Sequence, residues 1–250
     1  MSTNAILLRA HDYGETSRVL RFCTERHGLL SVMAKGVRGR TGKGVAALAT
    51  FASGELTAYV RPHRDLHTMK DFVCRRTRDR IAHDVLRFAG ASTVAEIVLA
   101  HAEHEWPAGL HAALEAALDR LEDAEPAAVP AAVLAGLWAV VGALGFTPQV
   151  EACVRCGRAL GPDEMGRFDL AAGGIRCTGC GEEGAGPRMG PIARGQLVEL
   201  LEGRAPADLT HARRHAALVA DFVAHHVVPR PLKSLPFLSG LLPDPTPALP

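Results

Sequence analysis

Hydrophobic and polar positions follow two rhythms along this chain. Through about residue 75 the apolar residues come in short runs or alternate with polar ones, the mark of β-strands. "NAILLRA" is short and apolar, and "SRVLRFCT" alternates imperfectly around Phe22. "ERHG" supplies turn chemistry, with Gly28 where a positive φ is wanted. "LLSVMAKGV" returns, so 17–37 read as a hairpin. "ELTAYVRP" and "LHTMKDFVC", joined by "HRD", complete about five strands. That count suits a small OB-type barrel, and an SH3-like barrel fits it nearly as well.

Near residue 76 the period lengthens. Ile81, Val85 and Phe88, then Val94, Ile97 and Val98, recur at three- and four-residue spacing. This predicts two amphipathic helices broken near Gly90, with Ser92 capping the second. "PAGLHAALEAALDRLED" places Pro107 in a first turn and lines Leu110, Leu114, Leu118 and Leu121 along one face. "PAAVLAGLWAVVGALGF" is apolar nearly all round, as the central helix of a bundle would be. Its glycines and missing charge anchors fit a core helix better than a membrane span. "PIARGQLVELLEG" and "THARRHAALVADFVAHHV" predict two more helices, and the proline-rich end "LLPDPTPALP" predicts disorder.

Charge divides the chain in the same place. Residues 1–80 carry fifteen lysines and arginines against seven acids, whereas the rest carries thirteen against twenty. Such asymmetry predicts one part facing polyanions and another serving structure or protein partners. Without a signal-like start or an anchored apolar span, the chain is expected in the cytoplasm.

Four of the six cysteines form two C-x-x-C pairs, Cys153/Cys156 and Cys177/Cys180, separated by twenty residues. This spacing predicts a four-cysteine zinc ribbon. Each pair is followed by a glycine, Gly157 or Gly181, which allows the tight turn of a knuckle. "GRFDLAAGGIRC" between them predicts a hairpin. Four thiolates would close the site, which makes it structural rather than catalytic. Cys23 and Cys74 read as small buried hydrophobes.

"AKGVRGRTGKG" at 34–44 packs four glycines and four cations into eleven residues. It is not a phosphate-binding P-loop, because Val37 stands where the first glycine belongs and Gly44 follows the lysine. As a loop between barrel strands it would present Lys35, Arg38, Arg40 and Lys43, with Arg18 and Arg21 on a neighbouring strand, to DNA phosphates. Tyr13, Phe22, Phe51, Tyr59 and Phe72 are the aromatics available for base stacking, most of them needed in the core. His101-x-Glu103 with the later C-x-x-C resembles a zinc deaminase signature. Ala152 rather than proline before Cys153, the intervening helix and the two extra cysteines argue against it. The sequence offers no convincing active site, and we expect a non-enzymatic protein.

The chain resembles the bacterial RecO family, recombination mediators of the RecFOR pathway. The resemblance begins in "AILLRAHDYGETSRVLRFCTERHGLLSVMAKGVRGR", with its "GE-S" turn and "KG-R" loop, and ends at "RPLKSLPFL". It implies an α+β protein: an OB-type barrel at 1–78, a helical region at 79–150 and 190–240, an inserted zinc module at 151–189 and a disordered tail at 241–250. It further implies binding of single- and double-stranded DNA without strong sequence preference, strand annealing and action with RecR. Contact with the tail of single-stranded DNA-binding protein and help in loading RecA are also implied, with Lys35 and Arg38 the DNA contacts carried over. An apolar groove rimmed by Arg213 and Arg214 would suit that acidic, hydrophobic tail. The alternative is a zinc-ribbon scaffold for RNA, transcription or translation.

Overall fold

A computed structural model describes residues 1–37, 48–101, 106–180, 186–228 and 231–243. Five strands, β1 (Ser2–Tyr13), β2 (Ser17–Thr24), β3 (Gly28–Ala34), β4 (Ser53–Tyr59) and β5 (Leu66–Arg76), close into a barrel ordered β1-β2-β3-β5-β4. The predicted hairpin is present, with Arg18 opposite Ala34 and Thr24 opposite Gly28, whose φ is +67°. A Cβ on Gly28 would meet the ring of Trp106 at ordinary contact, 3.4 Å, so the turn alone calls for glycine here. The closure comes from a parallel pairing of Ser31–Met33 with Leu66–Thr68. This Greek-key return selects the OB-type barrel over the SH3-like one. A bulge between Leu7 and Arg9 bends β1, so that its first half pairs with β4 while the strand as a whole pairs with β2. Leu7, Leu20, Phe22, Val32, Leu56 and Phe72 fill the barrel, with the Phe22 and Phe72 rings 5.1 Å apart.

Seven helices follow: α1 (Asp79–His83), α2 (Val85–His101), α3 (Leu110–Asp123), α4 (Val129–Ala143), α5 (Pro191–Leu201), α6 (Ala212–His226) and α7 (Ser234–Leu241). The break expected at Gly90 is absent, because α2 runs unbroken through it and through Ser92. The chain breaks instead at Asp84, which is extended. Gly90 is needed for proximity: a Cβ there would sit 2.6 Å from Val133 Cγ2 on α4. Pro107 likewise precedes its helix, which starts at Leu110 after Gly109 at φ +88°. The leucine face of α3 is buried as expected.

Pro126–Ala143, comprising α4 and the 3-10 turn before it, is long and apolar enough to cross a bilayer by composition alone. In this fold α4 lies at the centre of the bundle against α2, α3, α5 and α6, and most of its residues are buried. Helix α7, not evident from periodicity, tolerates Pro236 because a first-turn N–H has no helical partner to lose.

The barrel is fastened to the helices by cations at and beyond the end of its last strand. Arg78, fully buried, donates to Asp119 through Nε (3.0 Å) and Nη2 (2.5 Å) and to the carbonyl of Phe51. Arg76 pairs with Asp119 and Asp123. Glu122 accepts the N–H groups of Arg80 and Ile81 at 3.0 Å each, and Arg87 donates to the carbonyls of Leu121, Glu122 and Ala124 at the end of α3. The basic excess of the first eighty residues is therefore partly neutralised inside the molecule. Between α4 and α5 lies a small sheet, β6 (Gly166–Asp169), β7 (Gly174–Cys177) and β8 (Arg188–Met189), ordered β7-β6-β8.

Candidate metal centre and nucleic-acid interface

Cys153, Cys156, Cys177 and Cys180 converge, their sulfurs all within 4.8 Å of one another. The first knuckle is held by the Cys153 N–H on Arg158 O (2.8 Å) and the Gly157 N–H on Cys153 O (2.9 Å), with Gly157 at φ +73°. The predicted hairpin exists as β6 and β7, and β7 delivers Cys177. A 3-10 turn over Thr178–Cys180 completes the second pair, while Gly181 lies outside the described residues. Cys156 Sγ stands 3.9 Å from Cys177 Sγ. Tetrahedral thiolates at a metal–sulfur distance of about 2.3 Å are separated by about 3.8 Å, so the donors are close to ligating geometry.

Electrostatics favour ionised sulfur at part of the cluster. Burial opposes ionisation of Cys153, yet the N–H groups of Cys177, Cys156 and Arg155 bring its thiol down to about 6. The Cys177 N–H reaches Cys153 Sγ at 3.3 Å. Burial also opposes ionisation of Cys177, and hydrogen bonds from the Arg158 guanidinium, Cys180 and Cys156 together lower that thiol. Cys180, sharing hydrogen bonds with Cys177 and Cys156, is pushed up to about 12. Four thiol donors and no water position describe a closed site that can hold a metal ion as a staple. His101 stands outside this group: its Nδ1 donates to Val227 O at 3.1 Å and its ring meets Phe146 edge-on. Glu103 lies outside the described residues. Burial drives the Cys23 thiol well above its ordinary range, as suits a core residue, whereas Cys74 is only half-buried.

The second candidate surface is the outward face of the barrel. Cross-strand register aligns Arg9 with Arg21, Arg21 with Ser31, and Ser31 with Leu66. Lys35 is exposed just beyond β3, and Arg9 is exposed on β1. Arg38, Arg40 and Lys43 lie outside the described residues. Arg18 and Arg21, three apart on a strand, project to opposite faces. Arg18 is held by Asp12 at 3.0 Å, and Arg21 is half-buried.

Residue patterning did not single out Arg61 and Arg64. Both are exposed in the loop between β4 and β5, where His63 adopts φ +61°, and neither forms an ion pair among the described residues. The "HRD" turn read from the sequence was the available signal. Of the five aromatics, Phe22, Phe51 and Phe72 are buried. Tyr13 and Tyr59 are each 59% exposed, where β1 and β4 give way to their loops. In OB barrels the strand 2–3 face and these two loops form the oligonucleotide surface.

The helices add a groove of about 350 Å³ between α6 and α7, lined by Ala216, Ala220, Ala224, Val228, Leu232 and Leu235 among others. Arg213 donates to Leu242 O at 2.8 Å and so serves the end of α7, whereas Arg214 is exposed. Glu96 on α2 accepts the Lys233 and Ser234 N–H groups at 2.9 Å each and the Ser234 hydroxyl at 2.6 Å, fixing the start of α7.

Comparison with known families agrees over nearly the whole chain. The family model for the N-terminal part of recombination protein O matches residues 1–78, and that for its C-terminal part matches 82–236. DNA repair protein RecO of Anaeromyxobacter sp. (strain Fw109-5) is 33% identical over 234 residues, covering 91% of each chain. The proteins of the same name from Anaeromyxobacter sp. (strain K) and Anaeromyxobacter dehalogenans (strain 2CP-1 / ATCC BAA-258) are 33% identical over 200 residues, covering 78% of this chain and 76% of theirs. With both family models matched in order over its barrel and its helical body, this chain belongs to the RecO family.

Proposed function

We propose that the protein is a non-enzymatic DNA repair mediator that binds single- and double-stranded DNA through phosphates, anneals complementary strands and helps load RecA. The observation that carries this reading is the set of exposed barrel cations Lys35, Arg61 and Arg64, with Tyr13 and Tyr59 exposed where β1 and β4 enter their loops, while Arg9, also exposed, lies towards Glu96 of α2. Annealing needs two anionic backbones brought together, and fixed cations reduce their repulsion without any bond chemistry. Arg38, Arg40 and Lys43 extend the same surface in this proposal, with Arg21 at its centre. Arg18, held by Asp12, contributes less. Exposed tyrosines add stacking that any base can accept, which favours binding with little sequence preference.

Zinc is the ion we assign to the four cysteines, since a closed set of thiolates suits it. Bound there, it would cross-link the knuckles and supply no reactive site. RecR and single-stranded DNA-binding protein are the proposed partners, with the acidic, hydrophobic tail of the latter in the α6/α7 groove. Its apolar walls support that placement, with Asp221 in the lining and Arg214 exposed on the same helix outside it. Action is expected in the cytoplasm, at the nucleoid. The relatives are named for DNA repair, which favours DNA over an RNA scaffold.

The test is single-strand affinity measured across salt concentrations. Replacing Lys35, Arg61 and Arg64 with alanine should flatten the log–log slope by about 2, at about 0.7 per lost phosphate contact. An unchanged slope in that variant would reject this face, and a parent with no salt-dependent binding would reject the function.

A further inference from the structure

The sheet of the metal module carries a row of three arginines. Arg176 on β7 is directly opposite Arg167 on β6, and Arg167 is directly opposite Arg188 on β8. Like charges in register repel, and a sheet gains nothing structural from such a row. The alternate positions explain where it points. Phe168 and Ile175 are fully buried on the other side, and the Phe168 ring meets Phe222 of α6 edge-on at 6.3 Å. With that face sealed against the helices, the arginines face outward.

Among the described residues, acids answer this row only at one end. Asp169 pairs with Arg176, whose buried Nε still lacks a hydrogen-bond partner. Arg167 donates to Gly186 O at 3.3 Å. Arg188 is exposed and forms no ion pair among the described residues. A cleft of about 340 Å³ opens between Arg167 and Arg188, with the Thr178 side and Met165 in its walls. This concentration of cations stands in the part of the chain that is acidic overall.

We propose that the Arg176–Arg167–Arg188 row is a second phosphodiester contact, separate from the barrel face, through which the metal module grips DNA. The inference rests on the DNA-binding reading above. Planar guanidinium forks suit phosphate oxygens, and Thr178 in the cleft wall adds a hydroxyl donor. Two interstrand spacings of about 4.8 Å make the row about 10 Å long. Each strand of a duplex carries a phosphate about every 3.4 Å of helix axis, so a row of this length reaches more than one phosphate and fits a backbone better than a single anion.

The experiment uses the full, metal-loaded chain with R167A/R188A, leaving Arg176 and its Asp169 partner intact. Fluorescence anisotropy on a labelled single-stranded oligonucleotide is recorded over a salt series, with metal content and melting temperature as folding controls. The log–log slope should flatten by about 1.4, two contacts at about 0.7 each, and R167K/R188K should restore it. Should R167A/R188A misfold, R188A alone, altering an exposed side chain, should flatten the slope by about 0.7. A parent that binds with a steep slope and a folded variant that keeps that slope overturn the row while sparing the barrel. A parent that binds no DNA overturns both.

Discussion

The barrel and the metal module both turn a cationic sheet face outward, yet each is backed differently. The barrel encloses its own apolar core, centred on Leu20, Phe22, Leu56 and Phe72, and its ladder closes on itself. The module has strands of four, four and two residues, and its Phe168, Ile175 and Met189 belong to the core of the helices. So small a sheet is marginal alone. Arg194 of α5 donates to the carbonyls of Gly161 and Pro162, and His226 of α6 donates to Leu170 O at 2.6 Å, tying the module down from outside. A charged face needs a rigid backing. One sheet generates that backing internally, whereas the other takes it from neighbours and from four converged cysteines.

The sharpest way to break this comparison is to remove the metal. Structural zinc sites contribute about 10–16 kcal/mol of apparent binding energy in small peptides, so chelation should strongly destabilise the module. Hydrogen exchange should accelerate over 151–180 while β1–β5 keep their protection. Equal loss in both regions would mean that the barrel is not self-sufficient. Next in size is Arg78→Ala, which leaves Asp119 and the Phe51 carbonyl without their buried donor. Asp119 is partly exposed and keeps Arg76, so the expected loss is about 1–3 kcal/mol, that of an unsatisfied buried acceptor, read by urea unfolding. A loss below 1 kcal/mol would show that Arg78 is not what fastens the barrel to the helices.

The smallest effect concerns Glu96. Burial alone would raise its carboxyl, but the Ser234 hydroxyl and the Lys233 and Ser234 N–H groups hold it below its ordinary 4.5. With the folded value depressed, its contribution is present above 4.5 and disappears as pH falls through that lower value. Glu96→Gln should loosen α7 by about 1 kcal/mol at neutral pH and weaken this part of the acid transition, followed by thermal melts between pH 5 and 3. An identical acid limb in the variant would remove Glu96 from the account.

Local chemistry made much of this fold legible. Alternation marked the strands, Gly28 marked the hairpin, and the paired cysteines announced their convergence. What stayed hidden depends on residues far apart in sequence. The parallel pairing of Ser31–Met33 with Leu66–Thr68 leaves no local trace, so the two barrel types could not be separated from strand count. Gly90 gave the wrong signal because a helix-breaking residue and a close-packing residue look alike without the opposing helix. Three arginines scattered between positions 167 and 188 become a row only through the register of three strands. Arg61 and Arg64 looked like ordinary turn cations until the barrel set their loop beside its outward face. Charge totals misled in another way, since Arg76 and Arg78 are bound to acids of α3.

The contact between Gly90 and Val133 bears on how this fold can drift. With only 2.6 Å available where a methyl would go, the separation of the two central helices is set by the summed volume of those two positions. Bulk gained at one must be surrendered at the other, so substitutions there should arrive in compensating pairs. A descendant carrying alanine at 90 is expected to carry a smaller side chain at 133.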